Sequence, residues 1–139
     1  MARGSQSTLR MNTDDFATLV DRVERLAPRR RAGWPPVALS PEARRNAVAF
    51  LRLVHGTFGP AVRLPTLSAT VDGGYALRWA VSGARGWRLV ELVFFLDRIE
   101  YVVVDGEDLT DVATRVVDGE TTDPALVVRE IVKPYVAGP

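Results

Sequence analysis

Side chains that could do chemistry are few in this chain. His55 is the only histidine, Lys133 the only lysine, and there is no cysteine. The last fact excludes disulfides, thiolate nucleophiles and cysteine zinc sites. Nucleophilic catalysis needs a base beside the nucleophile, and His55 has no second histidine to complete a ligand set. The densest acidic run is Asp105, Glu107, Asp108 and Asp111. An EF-hand loop needs alternating oxygens, a glycine at its sixth position and a closing glutamate. This run lacks that spacing and reads as a strand-end turn followed by a helix cap. The glycines at 73, 74, 83 and 86 do not open a helix, so they form no phosphate cradle.

Binding chemistry is better represented. Arg29, Arg30 and Arg31 follow one predicted helix, Trp34 stands in a proline-rich connector, and Arg44 and Arg45 open the next helix. Tryptophan and arginine recur at the energetic centres of protein interfaces. Arginines also neutralise phosphates. Trp34 therefore reads either as a plug packed on the helices or as an exposed anchor. The first 63 residues hold eleven arginines against five acids, a surplus of six. The remainder holds seven bases against twelve acids, a deficit of five. Such a dipolar chain suits steering toward a charged partner, although solvated helix faces give the same counts. Nucleic-acid binding is the weaker alternative. The two helices are joined by a long link instead of a tight turn, and the pI of about 8.2 is modest.

Two amphipathic helices carry these residues. Thr13 is expected to cap the first, with Asp14 and Asp15 in its first turn, where the helix dipole favours negative charge. Phe16, Leu19, Val20, Val23, Leu26 and Ala27 repeat at helical spacing, and Pro28 stops it. Ser40-Pro41-Glu42 opens the second with a cap, a first-turn proline and an acid. Ala43, Ala47, Val48, Phe50, Leu51, Val54 and Phe58 form its stripe, and Gly56 and Gly59-Pro60 are expected to stop it.

Thr66 to Asp105 then changes period to two. Leu67, Ala69 and Val71 alternate, as do Tyr75, Leu77, Trp79 and Val81, with a turn at Asp72-Gly73-Gly74. After the turn spanning 82–86, both sides of the next strand are apolar. Val90, Leu92, Phe94 and Leu96 line one side, and Trp87, Leu89, Val93 and Phe95 the other. Asp97-Arg98 turns into Ile99–Val104, rich in β-branched residues. Beyond it, Asp108 is expected to cap a third helix through Leu109, Val112, Ala113, Val116 and Val117, stopped by Gly119. Asp123-Pro124 is expected to open a fourth, ended by Pro134.

At 139 residues, 47% hydrophobic and 25% charged, the chain fits one globular domain. Residues 1–11 are expected to be disordered, residues 12–139 to form a single domain, and the tail from Tyr135 to be loose. No apolar run approaches the ~20 residues of a membrane span, and the first residues lack a secretory apolar core. A cytoplasmic location without membrane contact is expected.

Gly33-Trp34, Ser40-Pro41-Glu42-Ala43, and Pro65-Thr66 with Asp72-Gly73-Gly74-x-x-Leu77-x-Trp79 carry a resemblance. Over residues 33–105 the chain resembles a family of small, largely uncharacterised bacterial proteins sharing these motifs. Members usually turn into their last strand with Pro-Asp-Gly, where this chain has Asp97-Arg98. The resemblance implies an accessory protein of toxin–antitoxin or defence-like loci, and so a binding partner instead of a catalytic role.

The expected fold is α+β: a four-stranded antiparallel meander with two N-terminal and two C-terminal helices packed on one face. The expected function is a non-catalytic protein-interaction module, an antitoxin- or immunity-like neutraliser or a small complex subunit. Its partner would be another protein or a second copy, met through the uncovered sheet face or through Trp34, Arg29, Arg30, Arg31, Arg44 and Arg45. No cofactor, metal or catalytic residue is expected. The alternatives are a nucleic-acid-binding accessory protein using the same arginines and a small enzyme with an unrecognised carboxylate site.

Overall fold

Alternation from Leu67 onward builds an antiparallel sheet. The structure, a computed structural model of the chain, describes residues 13–83, 86–107 and 112–137. Strands β1 (Thr66–Ala69), β2 (Tyr75–Gly83), β3 (Gly86–Phe94), β4 (Ile99–Gly106) and β5 (Ala113–Thr121) lie side by side in sequence order. Each is antiparallel to the next. Helices α1 (Thr13–Arg25) and α2 (Pro41–Phe58) precede the sheet. Helix α3 (Pro124–Val127) follows it and continues as a π-helical segment, Val128–Val136. The α+β class is the expected one.

Several details differ from the sequence reading. Among the described residues the sheet has five strands instead of four, and one helical unit follows it instead of two. Residues expected to form a third helix instead form β5 from Ala113 onward, while the expected cap at Asp108 lies outside the described residues. Val112, Ala113, Val116 and Val117 fit a helical period, but Thr114, Val116, Val117 and Thr121 are β-branched. Such side chains lose χ1 freedom in a helix and suit a pleat. The neighbouring strand decides between the two. Without β5, β4 would leave a row of N–H and C=O groups unpaired; with it, Val103 faces Val117 and Val104 faces Val116. Gly119, expected as a helix stop, lies opposite Tyr101, whose ring covers it. Pro134 does not end the last helix either. The wider π-helical turn runs past it, and the Ala137 N–H reaches the Val132 carbonyl at 2.8 Å, five residues back. The expected disorder of residues 1–11 lies outside the described residues, and Tyr135 and Val136 belong to the helix instead of a loose tail.

One core joins the helices to one face of the sheet. Leu19 and Val23 of α1, Ala47, Phe50, Leu51 and Val54 of α2, and Val127, Ile131 and Val132 of the last helical unit are buried together. They meet Leu77, Leu92 and Phe94 of the sheet, with the Phe50 and Phe94 rings 5.1 Å apart. Trp79 is buried with its indole N–H donating to the Arg63 carbonyl at 2.8 Å, so its one polar atom is satisfied. His55 stacks on Phe16 with ring centroids 4.4 Å apart, tying α2 to α1. Ser40 caps α2 as expected, its hydroxyl accepting from the Ala43 N–H at 3.2 Å.

Candidate interaction surface

Strand geometry sends alternate side chains to opposite faces, and the register fixes which rows share each face. On the helix-covered face, Leu67, Leu77, Leu92, Tyr101 and Gly119 form one row across the five strands, and Trp79, Val90, Val103 and Val117 another. The opposite face carries four rows. Ser82, Trp87 and Gly106 form the first, and Ala80, Leu89, Val104 and Val116 the second. Thr66, Arg78, Glu91, Val102 and Asp118 form the third, and Ser68, Ala76, Val93, Glu100 and Glu120 the fourth.

Trp87, Leu89, Val93, Val102, Val104 and Val116 contribute nothing to the core cluster. They are half-buried, except Val116, which is 57% exposed. Among the described residues, this face has no layer over it. An antiparallel sheet with a solvated face normally places polar residues there. This one does so only in its third and fourth rows. The first two rows are an apolar band crossing the strands, closed at one end by the Trp87 indole lying on Gly106.

The charged rows are partly neutralised. Arg78 donates to Glu91 across β2 and β3, through Nη2 at 2.7 Å and Nε at 3.2 Å. Glu100 and Glu120 face each other directly across β4 and β5, a like-charge pairing that destabilises a sheet. Arg98 relieves it, with Nε 2.8 Å from Glu100 and 3.4 Å from Glu120 and its guanidinium 4.3 Å over the Phe95 ring. Asp118 has no cationic partner among the described residues. A shallow depression of about 440 Å³ lies over Glu91, Val93, Glu100, Val102, Asp118 and Glu120. With two guanidiniums against four carboxylates, these rows remain net negative.

On the helix-covered face, the end of the sheet holds a second charged group. Asp105 accepts from Arg88 Nε at 2.7 Å through one oxygen and from Arg115 through the other. Both guanidiniums stand near the Tyr135 ring, at 5.2 and 5.4 Å, and Arg88 also donates to the Tyr135 carbonyl at 3.3 Å. Burial pushes the Asp105 carboxyl up, but the two arginines outweigh it and hold the group below its ordinary 3.8. The cluster joins three strands to the last helical unit. Of the acidic run around it, Asp108 and Asp111 lie outside the described residues.

The arginine and tryptophan residues singled out from the sequence are spread over several environments. Trp34 is 64% exposed and is not a plug. Arg31-Ala32-Gly33-Trp34 forms a tight turn closed by the Trp34 N–H on the Arg31 carbonyl at 3.0 Å. Gly33 sits in it at φ 79°, a conformation side chains with a Cβ resist. The Arg31 guanidinium lies 5.4 Å over the Trp34 ring. Arg29 and Arg30 are exposed, without an ion-pair partner among the described residues. Arg44 is turned partly inward, its Nε 3.3 Å from the buried Tyr75 hydroxyl, which raises its already high pKa. Arg45 pairs loosely with Glu42 at 3.7 Å. Arg44, Arg45 and Arg52 line a hollow of about 370 Å³ with Glu24 of α1.

A scan of protein-family models, a search of curated proteins and a search of solved structures each return no match.

Proposed function

We propose that the chain is a non-catalytic protein-interaction module that docks a partner on its uncovered sheet face. It would serve as a small subunit of a larger assembly or, as its sequence resemblance implies, as a neutraliser of antitoxin or immunity type. The observation that carries this reading is a five-stranded sheet whose helices, among the described residues, all pack on one face, with an apolar band on the other. Contiguous apolar surface of this kind marks association sites in soluble proteins. Sheets reach stable layer architectures by covering both faces or by solvating one; this sheet does neither along its Trp87 and Leu89 rows.

Affinity capture from host lysate with the tagged full chain tests the reading, with Leu89→Asp and Val116→Glu run beside it. The expected result is one stoichiometric protein partner that survives nuclease and is lost from both variants. Val116 is exposed on the edge strand, so Val116→Glu leaves the core untouched. A partner held equally by all three chains would overturn the proposal.

Exposed Arg29 and Arg30 support a second reading, nucleic-acid binding from the linker. Nucleic acid that co-purifies, falls away steeply with salt and is lost on Arg29→Gln/Arg30→Gln/Arg31→Gln would put that reading first.

A further inference from the structure

Granted that the uncovered face is the docking surface, its chemistry narrows what can sit there. We propose that its occupant is a basic amphipathic helix of a partner protein. The helix would lie across the strands with its apolar stripe on Trp87, Leu89, Val104 and Val116 and its cations on the flank toward Asp118, with Glu100 and Glu120 in the row beyond.

The apolar and acidic rows run parallel to each other and perpendicular to the strands. Rows on one face are about 7 Å apart, twice the rise per residue. A helix about 10 Å across therefore covers the two apolar rows and brings one flank to the nearer acidic row, that of Asp118, with Glu100 and Glu120 about 7 Å further out. From β2 to β5 is three strand spacings, about 14 Å, which a helix crosses in roughly ten residues. The apolar row Ala80, Leu89, Val104 and Val116 spans that width.

Charge then selects the sign of the partner. Among the described residues Asp118 has no cation beside it, and Glu100 and Glu120 share Arg98. A partner cation at this flank removes the remaining repulsion, and a partner anion adds to it. The same arithmetic disfavours a second copy seated face to face about a two-fold axis along the strands. A two-fold axis along the strands lays each acidic row over its own counterpart, and a surplus of carboxylates then meets a surplus of carboxylates. A helix bearing lysine or arginine along one side of a leucine stripe meets no such opposition.

Two synthetic helical peptides with an identical leucine stripe test this, one flanked by lysine and one by glutamate. Their affinities for the full chain are measured by titration at low and high salt. The expected result is at least a tenfold preference for the lysine peptide. That preference should shrink with salt, disappear in Asp118→Asn/Glu120→Gln, and give way to loss of all binding in Val116→Glu. Equal binding of both peptides, abolished by Val116→Glu, would overturn the basic occupant and leave the docking face standing. Binding of neither peptide, or binding that survives both Val116→Glu and Leu89→Asp, would overturn helix docking on this face. A dimer in sedimentation that dissociates in Val116→Glu would give the site to a second copy instead.

Discussion

Trp87 and Gly106 lie opposite each other on β3 and β4, and the indole occupies the space a Cβ at Gly106 would need. Tyr101 and Gly119 repeat the relationship one strand further on and on the other face. Each glycine costs strand propensity, and each aromatic recovers part of it by covering the bare backbone. At Gly106 the pairing also builds the end of the apolar band, so one contact serves both the sheet and the proposed surface.

Gly106→Ala therefore forces Trp87 off its seat. Overpacking of this kind costs about 1–3 kcal/mol, and the displaced ring enters water. Thermal unfolding should show a lower melting temperature, with tryptophan emission shifted to the red before unfolding begins. Unchanged emission would mean that the ring tolerates a methyl beneath it.

The uncovered face was legible in the sequence, because Val90, Leu92 and Phe94 alternate with Trp87, Leu89 and Val93, and one covering layer cannot bury both sets. Strand β5 was not. As an edge strand it has one neighbour and is exposed along most of its length, so it lacks the apolar face that reveals β1 to β4. Asp118-Gly119-Glu120 lowers its propensity further. The density of β-branched residues from Val112 to Thr122 was the available signal. The Arg88, Asp105, Arg115 and Tyr135 cluster was beyond reach because its members span 48 positions and meet only through the pairing of three strands. The acidic flank was hidden for the same reason: Glu100 and Glu120 become neighbours only once β5 exists.

Asp105 should make stability sensitive to acid. Its folded pKa lies below the ordinary 3.8, so its contribution is complete above that value and is lost as pH falls through the folded pKa. Asp105→Asn removes the charge that two arginines share. Hydrogen bonds to charged groups are worth roughly 1.5–3 kcal/mol, and a loss in this range is expected at neutral pH. The gap between the parent chain and the variant should narrow below pH 3.8. A gap that stays constant down to pH 2 would place the stabilisation elsewhere.

Capping makes a smaller, local contribution. Ser40→Ala removes the acceptor for the Ala43 N–H and the partner of Glu42, whose carboxylate receives the Ser40 hydroxyl at 2.9 Å. A cost of about 1 kcal/mol is typical of such caps. Denaturant titration should show a lower midpoint with an unchanged slope, because α2 stays in the core. Hydrogen exchange should quicken at the first turn of α2 and not at Phe50 or Leu51.

Two tryptophans in contrasting surroundings separate folding from binding. Trp79 is buried with its N–H satisfied, and Trp34 is 64% exposed beside Arg31. Trp79→Ala should cost about 3–5 kcal/mol, as large aromatic deletions in cores do. Trp34→Ala should stay within about 0.5 kcal/mol of the parent chain, because it leaves no cavity and orphans no polar group. Any effect of Trp34→Ala on a captured complex is then an effect on contact with the partner. Loss of more than about 1 kcal/mol of affinity would make Trp34 a second anchor beside the sheet face. Unchanged affinity would confine the interface to the apolar band. A strongly destabilised Trp34→Ala chain would show that the Arg31–Trp34 turn supports the fold.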